Sequence, residues 1–196
     1  MTKEILISTT LFFCINCIYA QQDKKNYQEI GFYYFGELGL HPGVEIDYRI
    51  NIWENTKTKE KRSLSHQINF RPSIAYYRLT KYTNNFLFTP NFNYQLKLKN
   101  NKTQRYLFIE PSLKFGYLRY SYIGEIYETS NTGFEERNFG GGNSFIYGGG
   151  LNIGGSIKPN KLDWILACEY LAEVSEDVIV ISHINFKIGV RLKINK

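Results

Sequence analysis

The chain has 196 residues, a formal net charge of +6, and 43% hydrophobic against 21% charged residues. That is one domain's worth of chain, too apolar to be disordered and too poor in cysteine, with three, to be a disulfide scaffold. Aromatic residues reach 16%, almost all Tyr and Phe, and beyond residue 20 no apolar run approaches the ~18 residues of a membrane-spanning helix.

The first element is an address. Residues 5–18 read ILISTTLFFCINCI, the length of a secretory h-region and too short for a bilayer helix. Lys3 supplies a positive flank, and Ala20 is the small residue before the polar Gln21-Gln22. These features predict a signal peptide over residues 1–20, cut after Ala20; the alternative is a buried N-terminal strand or helix. Bulky residues before Cys14 and Cys17 argue against a lipoprotein. Removal of the leader leaves Cys168 as the single cysteine, so residues 21–196 can form neither an internal disulfide nor a Cys-based zinc site.

From residue 27 onward the chain alternates between apolar and polar residues, the pattern of strands with two unlike faces. Ile30, Phe32 and Tyr34 share one parity; Glu29, Gly31, Tyr33, Phe35 and Glu37 share the other. Val44, Ile46, Tyr48, Ile50 and Ile52 alternate with Glu45, Asp47, Arg49 and Asn51. Further strands follow over 64–76, 86–98, 107–117, 144–157, 162–173 and 184–194, making eight. Turn chemistry separates them at His41-Pro42-Gly43, Lys99-Asn100-Asn101-Lys102 and Lys158-Pro159-Asn160-Lys161. A longer turn is expected around Glu54–Lys61. Pro72, Pro90 and Pro111 fall inside strands and are expected at bulges or strand ends, because proline lacks a ladder donor.

Alternation alone does not say which face is inside. A lipocalin-like barrel has an apolar lumen around a ligand; an outer-membrane barrel turns its apolar residues to lipid. The polar face decides. It carries eight acids (Glu29, Glu37, Glu45, Asp47, Glu110, Asp163, Glu169, Glu173) against seven bases (Arg49, Arg71, Lys97, Lys114, Lys187, Arg191, Lys193). Near-neutrality on one face of a basic chain suits a narrow lumen, where buried charges must be paired. The apolar runs are about 10–12 residues long, the length of tilted membrane strands. With both termini in the periplasm, the longest outer loop is Ser121–Asn143.

On these residues, 27–196 resemble the small eight-stranded outer-membrane β-barrel proteins of Gram-negative cells. The resemblance implies an all-β fold, an eight-stranded antiparallel up-and-down transmembrane barrel with a polar, plugged lumen. It also implies outer-membrane lipid, lipopolysaccharide and the barrel-insertion machinery as partners. Such barrels commonly end in a strand with a terminal aromatic; here the end is Ile194-Asn195-Lys196.

An eight-stranded barrel leaves room only for side chains. Glu45, Asp47, Arg49, Arg71, Glu110, Lys114, Glu169, Lys187 and Arg191 are expected to form a structural charge network, with a gated conduit as the functional alternative. The resemblance also raises lipid-modifying hydrolases, which use a Ser and a His on the outer wall. Ser65-His66 and Ser182-His183 are the candidates, but adjacent strand residues point to opposite faces, so neither pair makes a dyad by itself. His41 reads as a turn residue. The loop over 121–143 carries Glu125, Glu128, Glu135 and Glu136 without calcium-loop spacing, and reads as a solvated loop and candidate surface for an extracellular partner. Gly148-Gly149-Gly150 and Gly154-Gly155 lack the Lys-Ser/Thr of a phosphate loop and suit crowding in the lumen. Lys57, Lys59, Lys61 and Arg62 form the densest basic cluster, a solvated turn with anionic lipid headgroups as a potential contact. The bases form no stripe for nucleic acid. The expectation is a non-catalytic outer-membrane barrel without cofactor, with a structural or surface-recognition role. The alternatives are a lipid-modifying barrel enzyme and a soluble periplasmic lipocalin-like binder.

Overall fold

The computed structural model describes residues 28–37, 41–79, 83–123, 127–130, 133–136, 141–174 and 180–194. The expected signal peptide lies outside them. The strands are β1 (Gln28–Glu37), β2 (His41–Thr58), β3 (Arg62–Leu79), β4 (Thr83–Asn100), β5 (Tyr106–Tyr122), β6 (Tyr127–Ser130), β7 (Gly133–Glu136), β8 (Gly141–Lys158), β9 (Leu162–Val174) and β10 (Val180–Ile194). Eight of them close into a ring in the order β1-β10-β9-β8-β5-β4-β3-β2, while β6 and β7 form a separate hairpin. Every pairing in the ring is antiparallel, and β1 closes it against β10 from Gln28↔Ile194 to Glu37↔Asn185.

The alternation read in the sequence becomes the two surfaces of this wall. Exposed apolar residues such as Val44, Ile46, Ile74, Phe86, Phe88, Leu113, Phe115, Leu151, Phe186 and Ile188 form a continuous outer belt. On β4 the belt runs at least from Phe86 to Tyr94. At ~3.4 Å per residue and a tilt of ~40°, that stretch rises about 21 Å, close to the ~25 Å apolar band of membrane barrels. The opposite parity points inward. Arg49, Arg71 and Arg191 are among the most buried side chains, at 3%, 5% and 0% exposure. A lipocalin-like arrangement needs the Phe and Ile face inside, so this inward placement of the arginines overturns that reading.

The strand ends correct several sequence expectations. His41-Pro42-Gly43 is not a turn: it opens β2, paired with Glu37, Gly36 and Phe35. The long turn expected over Glu54–Lys61 is mostly strand. A register shift between Asn51 and Trp53 re-phases β2, which then pairs with β3 out to Thr58↔Ser63. The shift turns Glu54 and Thr56 inward, where alternation without a bulge sends them outward. The loop expected over Ser121–Asn143 is shorter at both ends, because Ser121 pairs with Gly141 and Arg119 with Asn143. Within it, β6 and β7 pair as a hairpin from Tyr127↔Glu136 to Ser130↔Gly133.

The three prolines sit neither at bulges nor at strand ends. Pro72 and Pro90 face each other in mid-ladder, and Pro111 faces Leu151. Each missing donor is directed to the strand on the other side, where pairing lapses: between Asp47↔Ser73 and Ile50↔Phe70, between Phe88↔Tyr117 and Asn91↔Lys114, and between Asn93↔Ser112 and Leu96↔Ile109. The register resumes unchanged after each lapse, so a proline is accommodated by skipping rungs rather than by inserting a residue.

Candidate functional site in the barrel lumen

The lumen is organised in layers between two unlike ends. One end carries the short turns at 59–61, 101–105 and 159–161, and the ends of β1 and β10 that lie at Gln28 and Ile194. It is called the turn end below. The other carries the connections that include β6 and β7, and is called the loop end.

The central layer is built on Glu110, which is fully buried. Its carboxylate pairs with Arg71 at 2.5 Å and with Arg191 at 3.3 Å, and accepts hydrogen bonds from Asn93 at 2.9 Å, Gln95 at 3.0 Å and Asn152 at 3.1 Å. Arg71 also pairs with Asp47 and donates to the Tyr33 hydroxyl at 3.0 Å. These donors come from β3, β4, β8 and β10, so one carboxylate on β5 ties together much of the ring. Strand alternation delivers each of them inward without any special loop.

Toward the loop end lies a ring of two acids and two ammonium groups. Lys187 bridges Glu45 and Glu169, at 2.7 Å from the latter; Lys114 pairs with Glu169 and stands 4.0 Å from Glu45. Beyond it Glu173 meets His183 at 2.9 Å. The loop end is then closed by an apolar cluster of Phe35, Ala75, Tyr77, Leu87, Leu118, Ile146 and Leu171. These side chains occupy inward parity; Phe35 was placed there by alternation, and the other six went unassigned because the inward face was recognised by its charges. Parity was the signal that marks them.

Toward the turn end, Arg49 pairs with Glu29 at 2.8 Å and donates to Gln67 at 2.5 Å and Gln95 at 2.9 Å. Asp163 accepts from Tyr106 and pairs with Lys193 at 3.3 Å. Past this layer the lumen opens into a polar cup of about 350 Å³, whose walls include Asn51, Glu54, Thr58, Ser63, Lys97 and Lys99. Glu54 stands on the part of β2 beyond the apolar belt. Burial raises its carboxyl pKa, but hydrogen bonds from Ser65 and Gln67, the Lys97 charge and the Thr56 hydroxyl more than offset this, so it lies below the ordinary carboxylate value.

All nine residues of the expected charge network stand inside the barrel, divided between the central layer, the Lys–Glu ring and the Arg49 layer. Those nine comprise five bases and four acids; Glu29 supplies the fifth acid through Arg49. Alternation alone puts Tyr33, Asn93, Gln95 and Asn152 on the polar face, but not in the network, because polar amides and tyrosines carry no charge signal; Tyr106, also buried, went unassigned.

The Ser–His pairs separate as alternation requires. Ser65 points inward and donates to Glu54 at 2.7 Å, while His66 on the outer wall meets the Tyr94 hydroxyl at 2.6 Å. Ser182 is exposed beside the Tyr170 hydroxyl at 2.8 Å, and His183 is turned into the lumen against Glu173. Cys168 is a free, exposed thiol on the outer wall. Among the described residues no group of three or more His, Cys, Asp or Glu side chains is placed to hold a metal ion.

No family model matches the chain, and no curated protein matches it. Solved structures do. The outer-membrane enzyme PagL aligns with a TM-score of 0.53 at 11% identity, over 85% of this chain and 99% of its own. Neisserial surface protein A gives 0.42 at 14% identity, over 86% and 96%. The N-terminal β-barrel domain of Pseudomonas aeruginosa OprF gives 0.37 at 11% identity, over 87% and 98%. Identities this low speak to fold alone, and the PagL alignment carries that comparison. With its ring of eight antiparallel strands, charged inside and apolar outside, the chain has the fold of the small eight-stranded outer-membrane β-barrels.

Proposed function

We propose that this protein is an exported, integral outer-membrane barrel with a structural or surface-recognition role and no catalytic one. The supporting observation is the inverted distribution of polarity: a continuous apolar belt outside and a network of buried ion pairs inside. Lipid and lipopolysaccharide surround the belt, and the barrel-insertion machinery delivers the chain. The segment 123–140, with its β6–β7 hairpin, is the surface offered to an extracellular partner. The apolar cluster at the loop end and the side-chain-filled interior favour a barrel that does not conduct.

The test begins with fractionation of cells expressing the full chain. Enrichment in the outer-membrane fraction, with an unboiled band that migrates faster than the boiled one, is expected. The purified barrel in planar bilayers is expected to give no discrete conductance steps. A soluble periplasmic protein without a heat shift overturns the membrane reading. Fatty-acid release from lipid A by the purified barrel overturns the non-catalytic one.

A further inference from the structure

The cup at the turn end is a blind cavity. Its floor is the Arg49–Glu29 pair, and the lumen beyond is filled by the central layer, the Lys–Glu ring and the apolar cluster. A ligand can therefore enter only past the turns, near Asn101 and Asn160. A volume of about 350 Å³ lies within the range of small-molecule sites.

Charge selects the class of ligand. Arg49 is neutralised by Glu29, and Lys193 by Asp163. Lys97 and Lys99 also line the cup, and among the described residues neither has a carboxylate within 4.0 Å. Lys97 is half-buried, and its ammonium lies 5.0 Å above the Tyr106 ring, which holds it in place without neutralising it. The remaining acid is Glu54, whose carboxylate already accepts from Ser65 at 2.7 Å and Thr56 at 3.1 Å. The cup thus has a surplus of positive charge. Its mouth adds more: Lys59, Lys61, Arg62, Lys102, Arg105 and Lys161 are exposed there, against Glu60. A recessed site with walls of low polarisability and a basic rim concentrates anions.

Two ammonium groups act as point charges, the form in which lysine holds a phosphate. The hydroxyls of Thr58 and Ser63 and the amide of Asn51 on the same walls suit a hydroxylated ligand. We propose that the cup binds a phosphate ester of a small polyol such as glycerol, with Lys97 and Lys99 holding the phosphate. That chemistry has two sources, a soluble glycerol phosphate and the headgroup of phosphatidylglycerol in the adjoining leaflet.

The experiment uses the chain folded in an uncharged maltoside detergent, with a fast-migrating unboiled band required of every variant. Calorimetric titration with glycerol 3-phosphate reads the soluble source. The heat-conversion midpoint of barrels in phosphatidylcholine nanodiscs, with and without phosphatidylglycerol, reads the lipid source. Saturable binding of glycerol phosphate, or a higher midpoint with phosphatidylglycerol, is expected. Lys97→Gln with Lys99→Gln should weaken the response at least tenfold; Lys99→Gln alone, on the rim of the cup, should weaken it severalfold. Glu54→Gln should strengthen it, while Lys102→Gln on the turn should change it less than twofold. Absence of both responses in the folded wild-type chain overturns the proposal. A double variant that responds like the wild type also overturns it, since binding then belongs to the turns.

Discussion

At the scale of single residues, Glu110 bears the heaviest demand. Its carboxylate is out of water and compensates Arg71 and Arg191 at once. Glu110→Gln keeps the shape and removes the charge, leaving two guanidinium groups undercompensated. Loss of one partner from a buried ion pair costs about 3–5 kcal/mol. A loss of that size in urea unfolding, followed by the fluorescence of Trp53 and Trp164, is expected; Lys102→Gln, exposed on a turn, should stay within about 0.5 kcal/mol. Crowding around the network is set by residues with no side chain. A Cβ on Gly154 would press on the Phe108 ring and on the Trp164 carbonyl oxygen, so β8 approaches its neighbours there as only glycine allows. Cys168 reports on the other face. It is exposed in the protein alone but lies within the apolar belt, beside Leu166 and Tyr170 in alternation. In a chain lacking residues 1–20 and folded in micelles, a charged maleimide should label it slowly, and quickly after unfolding. Fast labelling of the folded form would place this wall in water.

At the scale of elements, the outward and inward runs of all eight ring strands were legible because a period of two needs no knowledge of the fold. The misread places have a common cause: backbone events that side-chain patterns do not encode. The register shift between Asn51 and Trp53 turns a stretch that looks like a loop into strand. The prolines are tolerated because each directs its missing donor toward a rung the neighbouring strand leaves unmade, which depends on pairing partners and not on the proline's own neighbours. The extended end of β2 and β3 carries a pH dependence of its own. Glu54 titrates below the ordinary carboxylate value when folded, so its contribution is present at neutral pH and is lost only as pH falls through that lowered value. Amide protection at Thr56 and Ser65, corrected for the intrinsic pH dependence of exchange, should persist through the ordinary carboxylate range and fall only below it. In Glu54→Gln the exchange should no longer depend on pH in this way.

At the scale of the whole molecule, the barrel is a cup with one closed and one open end. The balance of charge on the inward face was visible in the sequence, but its division into layers was not, because layering depends on the stagger of one strand against the next. Nor was the cup visible, since it is a property of which strands run past the belt. The ring has a further consequence, for how it forms. The ladder between β3 and β4 joins neighbours in the chain and runs from Arg62↔Asn100 to Leu79↔Thr83, whereas the seam between β1 and β10 joins the two ends of the chain over a shorter stretch. Contacts so distant in sequence require the largest loss of chain freedom before they give any return, and are made late. Conversion of the slow band to the fast band on unboiled gels should therefore follow seam closure. Gly189→Val, which would press a side chain against the Phe32 carbonyl oxygen across the seam, should slow that conversion severalfold. Leu96→Val, within β4, should leave its rate nearly unchanged. The hairpins can form as soon as the chain reaches a lipid surface, but the sheet has a free edge on each side until its first and last strands meet.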